Sequence, residues 1–115
     1  MTIGELCDAL QAEVVSAGDE TQKIEGVIVG DLLSHVLGSA RENQAWVTIQ
    51  THLNVAAVAV LKELPLILLA SNRRPQEELA AKCREENVAL AVSPLPAYEL
   101  CLRLGALGIG DVRGS

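Results

Sequence analysis

Three short clusters in this chain carry side chains that could do chemistry. Gly30-Asp31 offers a carboxylate beside a residue with no side chain. Thr48, Gln50, Thr51, His52 and Asn54 put two hydroxyls, two amides and an imidazole into one short stretch. Asn72-Arg73-Arg74 adds an amide and two guanidinium groups. The guanidinium fork matches phosphate oxygens in pairs, and a helix N-terminus offers backbone N–H groups to an anion. Brought to one edge, the three clusters would suit an anionic or phosphorylated small molecule. Asp31 and His52 are also the residue types that acid–base chemistry uses, which would make a hydrolase or transferase.

Each cluster has a plainer reading. Thr51 and Asn54 are common helix N-caps, and so is Asp31 ahead of an apolar run. A lone His in a loop is more often a solvated or hydrogen-bonded residue than a catalyst. Arg73-Arg74 before a helix is usually a solvated pair. The motifs that would decide for catalysis are missing. The chain has no G-x-x-x-x-G-K-[ST] loop, no G-x-G-x-x-G, no His-Glu-x-x-His and no G-x-S-x-G elbow. We expect no catalytic residue, no metal site and no cofactor.

The elements that must position these clusters follow from periodicity. Ile3, Leu6, Cys7 and Leu10 have helical spacing, with Thr2 as N-cap. Val14-Val15 reads as a short strand and Ser16–Asp19 as a turn. Ile24–Val29 is β-rich. Leu32–Leu37 is a short helix stopped by Gly38, and Ala45–Gln50 is the next strand. Asn54–Leu64 is a helix apolar nearly all round, which demands burial on more than one side. Leu66–Ala70 and Val88–Val92 are uninterrupted apolar runs, as in strands covered on both faces of a parallel sheet. Between them a helix runs from Pro75 to about Glu86, with Glu77 and Glu78 at its positive end. Ala97–Leu107 is the last helix. Alternating strands and helices predict an α/β fold with a mostly parallel sheet. In such sheets ligands bind outside the carboxyl ends of the strands, where all three polar clusters fall.

The chain has 115 residues, the size of one domain. Residues 1–108 form that domain, and 109–115 read as a flexible tail. Half the residues are hydrophobic, but there is no Phe, one Trp and one Tyr, so the core is small and aliphatic. Trp46 and Tyr98 read as packing residues, and Trp46 equally as an interface residue. The net charge of −6 argues against a nucleic-acid partner. No apolar run is long enough for a membrane span. The start has acidic residues and no basic n-region, so we expect a cytoplasmic protein. Cys7, Cys83 and Cys101 are far apart with no C-x-x-C, and read as buried or half-buried thiols.

Four segments together resemble a known family. They are Val29-Gly30-Asp31-Leu32-Leu33-Ser34, Ala45–Asn54 (AWVTIQTHLN), Leu68–Pro75 (LLASNRRP), and Val88–Val92 followed by Pro94 and Tyr98-Glu99. They resemble the DRTGG-domain family, which is similar to the N-terminal domain of HPr kinase/phosphorylase. The family also occurs inside some phosphotransacetylases and between paired CBS modules in certain pyrophosphatases. The match runs from about Thr2 to Leu107. The Asp-Arg-Thr-Gly-Gly motif that names the family is absent, and Thr48–Asn54 stands in its place. The resemblance implies a three-layer α/β domain that forms a homodimer. It implies a non-enzymatic regulatory module that senses an adenine nucleotide or a phosphorylated metabolite. Alternatively, it implies an accessory factor for a hydrogenase or another electron-transfer protein, without a small ligand.

Overall fold

The computed structural model describes residues 1–109. Its elements are α1 (Ile3–Ala9), β1 (Glu13–Ser16), β2 (Gly26–Val29), α2 (Leu33–Ser39), β3 (Gln44–Thr48), α3 (Asn54–Leu61), β4 (Leu66–Leu69), α4 (Glu77–Glu85), β5 (Ala89–Val92) and α5 (Ala97–Ala106). The strands form one five-stranded sheet in the order β1-β5-β4-β3-β2. Strands β2 to β5 run parallel, and β1 joins the edge antiparallel to β5. The expected α/β architecture with a mostly parallel sheet and flanking helices is what forms.

Alternation along the strands divides the core in two, because successive side chains point to opposite faces. Trp46, Ile67, Leu69, Leu90 and Val92 pack with Val36 of α2, Val55, Ala56, Val58 and Ala59 of α3, and Leu79 and Cys83 of α4. Ala45, Val47, Leu66, Leu68, Ala89 and Ala91 pack with Ile3, Leu6 and Cys7 of α1 and with Leu100 and Leu104 of α5. Helices α2, α3 and α4 therefore share one face, while α1 and α5 share the other. Strands β4 and β5 are buried along their whole length, which explains their uninterrupted apolar sequences. Trp46 is a core residue with no exposed surface. Its indole N–H donates to the Gly30 carbonyl at 2.9 Å, which fixes the end of β2 against β3.

The helix ends repeat one device. After α1, α3, α4 and α5 a residue takes a positive φ: Gln11 (57°), Glu63 (56°), Asn87 (58°) and Gly108 (85°). The next amide turns back, so that Ala12, Leu64, Val88 and Ile109 donate to the carbonyls of Cys7, Ala59, Cys83 and Leu104. This closure satisfies carbonyls that a helix end otherwise leaves open, and it sets an apolar residue against the last turn. It also shortens α3. The sequence predicts a helix to Leu64, whereas Glu63 turns left-handed and Leu64 drops into the core. Gly38 does not stop α2, which runs on to Ser39. At the first helix the expectation holds in full. The Thr2 hydroxyl accepts from the Glu5 amide, and the Glu5 carboxylate accepts from the Thr2 amide at 2.9 Å.

One glycine is obligatory. Gly18 has φ +56°, and a Cβ there would lie 2.5 Å from the Ala89 backbone nitrogen. Ile109, assigned by sequence to the tail, is buried in the α1/α5 core. Residues 110–115 of that tail lie outside the described residues. Among the described residues no helix is long and apolar enough to cross a membrane.

Candidate functional site at the carboxyl edge of the sheet

The strand register aligns the carboxyl ends. Val29 pairs with Val47, Thr48 with Leu69, Leu69 with Val92, and Val92 with Glu13. All three sequence clusters therefore lie along one edge, but they do three different things there.

The first group is a hydrogen-bonded frame. Asp31 Oδ1 accepts from the Thr48 hydroxyl at 2.8 Å and from the Ile49 amide at 2.9 Å. Gln50 donates its side-chain amide to the Asp31 carbonyl at 3.0 Å, and its backbone N–H to the Thr48 hydroxyl oxygen at 3.2 Å. Asp31 thus does not cap α2, whose N-cap is Leu32 with no side-chain cap bond. Its carboxylate instead ties the β2–α2 turn to the end of β3. β3 correspondingly stops at Thr48 rather than Gln50. Thr48 is buried and fully engaged, so it supports its neighbours rather than facing solvent.

The second group faces an open groove. Helices α3 and α4 leave a space of about 740 Å3 lined by His52, Leu53, Asn54, Ala57, Gln76 and Lys82. Leu53 and Ala57 supply its apolar lining, and His52, Asn54 and Gln76 supply polar groups. The loop that holds them is anchored by the Gln76 amide, which donates to the Thr51 carbonyl at 3.1 Å. The capping reading of this stretch does not hold. The N-cap of α3 is Leu53, and no side chain caps it. The side chains of Thr51, His52, Asn54 and Gln76 have no hydrogen-bond partner among the described residues. The amides of Val55 and Ala56 already donate to the carbonyls of His52 and Leu53. The start of α3 is therefore a poorer anion cradle than its sequence suggests, and recognition here falls to side chains. Lys82, which also lines the groove, lies 3.3 Å from Glu86 and 3.6 Å from Glu85. The hydrogen bond to Glu86, reinforced by the charge of Glu85, holds its ammonium above the ordinary lysine range.

The third group closes the crevice where the chain changes face. After β4 the chain passes to α4 on one face, and after β5 to α5 on the other. That is where open α/β sheets form a ligand crevice. Here the two loops lock onto each other. Ser71 and Asn72, both at φ 56°, donate their amides to the carbonyls of Leu95 and Ser93 at 2.8 Å. The buried Ser93 hydroxyl donates to the Leu10 carbonyl and accepts from the Leu95 amide. Arg74 swings to the outer strand and pairs with Glu13 at 2.8 Å. That contact holds the Glu13 carboxyl below its usual range. Arg73 is exposed and has no ion-pair partner among the described residues.

Gly30, Asp31, Thr48 and Gln50 thus come together at the β2–β3 end, and His52 and Asn54 come together over the groove. Asn72 and Arg74 belong to the β4–β5–β1 end, away from Asp31. Sequence reasoning missed Leu53, Ala57, Gln76 and Lys82, which line the groove only because α3 packs beside α4. No local pattern marks them. Among the described residues no three His, Cys, Asp or Glu side chains gather as a metal site. The thiols of Cys7 and Cys83 are buried, and burial pushes each up to about 11. A smaller cavity of about 160 Å3 lies beneath α1, lined mostly by core side chains such as Ile3, Cys7, Leu66 and Ala89. The groove is larger and adjoins the free polar side chains, so it is the better candidate site.

Neither family models nor curated proteins match this chain. Among solved structures, the chain is similar to the CBS and DRTGG domains of the regulatory region of Clostridium perfringens pyrophosphatase, complexed with activator, diadenosine tetraphosphate. The TM-score is 0.76 at 14% identity, over 90% of this chain and 45% of that one. The chain spans less than half of that structure. The likeness shows the fold, which is of the DRTGG/CBS-region kind.

Proposed function

We propose that this protein is a non-enzymatic regulatory module that binds an adenine nucleotide or a related phosphorylated metabolite in the α3–α4 groove and works as a homodimer in the cytoplasm. The observation that carries this reading is the set of unpartnered polar side chains, His52, Asn54 and Gln76, that share the groove with the apolar lining of Leu53 and Ala57. Such a lining suits a planar base, and two carboxamides can each donate to and accept from its ring edge. Of the charged or ionisable groups in the sequence clusters, Arg73 and His52 are the ones left without a partner among the described residues and so available to a phosphate. Gly30, Asp31, Thr48 and Gln50 hold the loop in place rather than touch the ligand. The fold likeness to a regulatory region supports the same class of role.

The test is thermal unfolding against a panel of adenine nucleotides and phosphorylated metabolites. A ligand that binds only the folded state raises the midpoint as its concentration rises above Kd. The expected result is a midpoint that rises with ATP, ADP or AMP, with the rise lost in His52→Ala and Asn54→Ala. A flat panel overturns it.

A second reading is favoured by α5, where Tyr98 is 76% and Leu102 54% exposed one turn apart on the outer face of the helix. That stripe suits a protein partner, and the resemblance points to a hydrogenase or other electron-transfer assembly. A flat panel together with co-purification of a redox enzyme would favour it.

A further inference from the structure

Beneath α1, on the face of the sheet opposite the α3–α4 groove, the core is incompletely filled. The strands explain the gap. β4 turns Leu66 and Leu68 to this face, whereas β5 turns only Ala89 and Ala91 there. β1 adds a bulge between Val14 and Ser16, a device that bends a strand and re-aims its side chains. What remains is the cavity of about 160 Å3. Ile3, Leu66, Ala89 and Ala91 give it a buried apolar wall. An apolar cavity of roughly this size holds a benzene-sized molecule.

The polar groups of this cavity share one character. Asp8 and Glu20 line it and are exposed, so they stand at its opening. Neither carboxylate has a hydrogen-bond or ion-pair partner among the described residues, and no Lys or Arg lines the cavity. Ser16 is 3% exposed and gives its one hydroxyl proton to the Val88 carbonyl at 2.8 Å, so its oxygen is left only as an acceptor. Cys7, also 3% exposed, has no hydrogen-bond partner among the described residues. Burial first, and then the charges of Asp8 and Glu20, push its thiol up to about 11, so it stays neutral. Helix stability does not account for Asp8. It sits in the last turn of α1, where the negative helix end disfavours a carboxylate, and no basic residue lies there. Glu20 is held in place by its backbone, whose carbonyl accepts from the Gly4 amide at 3.2 Å. Cys7, Asp8 and Glu20 do not gather as a metal site.

We propose that this cavity binds a small organic cation, a protonated amine carried on a compact apolar body. The apolar body fills the space that Ala89 and Ala91 leave, and its burial drives binding. The ammonium stays at the opening, where the carboxylates of Asp8 and Glu20 accept its N–H groups. An acceptor-only rim needs a donor, and two unpaired negative charges need a positive one. A neutral hydrocarbon meets only the first half of the site, and a bare ammonium ion only the second. An anion is repelled, so the cavity does not compete with the α3–α4 groove for a nucleotide. The two sites lie on opposite faces of the sheet, and either can fail its test without the other.

The test is an amide-resolved NMR titration with benzylamine, which is cationic at neutral pH and carries a benzene-sized body. Saturable shifts should gather at Ile3–Asp8 and at Ala89 and Ala91. Benzyl alcohol, the same shape without the charge, should bind at least about tenfold more weakly, and benzoate should give no shifts there. Asp8→Asn and Glu20→Gln change exposed side chains and should keep the unfolding midpoint. Together they should weaken benzylamine at least about tenfold. Cys7→Met extends a flexible side chain into the gap and should remove the response. Affinity is read from the amide signals of the folded protein, so a shifted midpoint does not mask it. Millimolar benzylamine without saturable shifts at the cavity overturns the proposal. Benzyl alcohol binding as tightly as benzylamine also overturns it, as does a double variant Asp8→Asn with Glu20→Gln that keeps wild-type affinity.

Discussion

Asp31→Ala separates a framing role from a ligand role at the carboxyl edge. The substitution removes one acceptor atom that serves two donors, the Thr48 hydroxyl at 2.8 Å and the Ile49 amide at 2.9 Å. Thr48 is buried, so its hydroxyl finds water poorly, whereas Ile49 is 37% exposed and its amide finds water more easily. A typical hydrogen bond contributes about 1 kcal/mol net, and a stranded buried donor costs about 1–3. The sum expected here is roughly 1–2 kcal/mol, discounted for the exposed half. For a domain of this size that lowers the melting midpoint by roughly 4–8 °C. The Gln50 side chain still reaches the Asp31 carbonyl, so the loop loosens rather than unfolds. Asp31→Asn keeps an acceptor and should lose less than Asp31→Ala. The assay is urea unfolding of both variants, with amide exchange at Ile49 as the local readout. Ile49 should lose protection, and ATP affinity of the folded fraction should stay within about twofold, under roughly 0.4 kcal/mol. Wild-type stability combined with lost ATP binding would refute this reasoning and make Asp31 a ligand group.

Other consequences follow from the same structure. Gly18→Ala should destabilise by more than about 2 kcal/mol, because φ is positive and backbone lies 2.5 Å from the new Cβ; a midpoint near wild type would contradict the close approach to Ala89. The buried thiols of Cys7 and Cys83, pushed up to about 11, should alkylate last at pH 8, with thiolate populations roughly a hundredfold below that of an ordinary cysteine. Peptide mapping after iodoacetamide should find Cys101, the half-buried thiol, modified first. The carboxyls of Glu5, Glu13 and Asp19 are held low by hydrogen bonds from Thr2, Arg74 and Thr21 respectively. A depressed carboxyl favours the fold above its unfolded pKa, and that support is lost as pH falls through the depressed value. Stability measured by urea should therefore be level above about pH 5 and decline below about pH 4; a rise on acidification would contradict the sign.

The sheet is readable where burial leaves a one-residue signal. Leu66–Leu69 and Ala89–Val92 are apolar at every position because helices cover both faces. Thr2 and Glu5 announce the first helix because capping is local. Pairing over long sequence distance leaves no such mark. That Glu13 lies against Val92, or that α4 and α5 take opposite faces, depends on contacts no window contains. Two helix ends escape for a related reason: Gln11 and Glu63 adopt the left-handed turn that glycine would have advertised, whereas the end of α4 at Glu86, before the left-handed Asn87, is legible. The candidate site is half legible. Its edge follows from strand ends, and His52 and Asn54 with it. Its frame is misread, because Asp31 and Thr51 are good caps in isolation. Here Asp31 is used across strands and Thr51 through its carbonyl. Gln76 and Lys82 are invisible, since only the packing of α4 beside α3 makes them neighbours of Leu53.

The most direct measurement is an amide-resolved NMR titration of the labelled protein with ATP, AMP and inorganic phosphate. A nucleotide site in the α3–α4 groove predicts saturable shifts gathered at Thr51–Ala57 and at Gln76–Lys82 with the nucleotides, and weak or no shifts there with phosphate alone. The amides of Asp19–Lys23, at the opposite end of the sheet, should stay unmoved. Silence at millimolar nucleotide, or shifts gathered around the small cavity beneath α1, would contradict it.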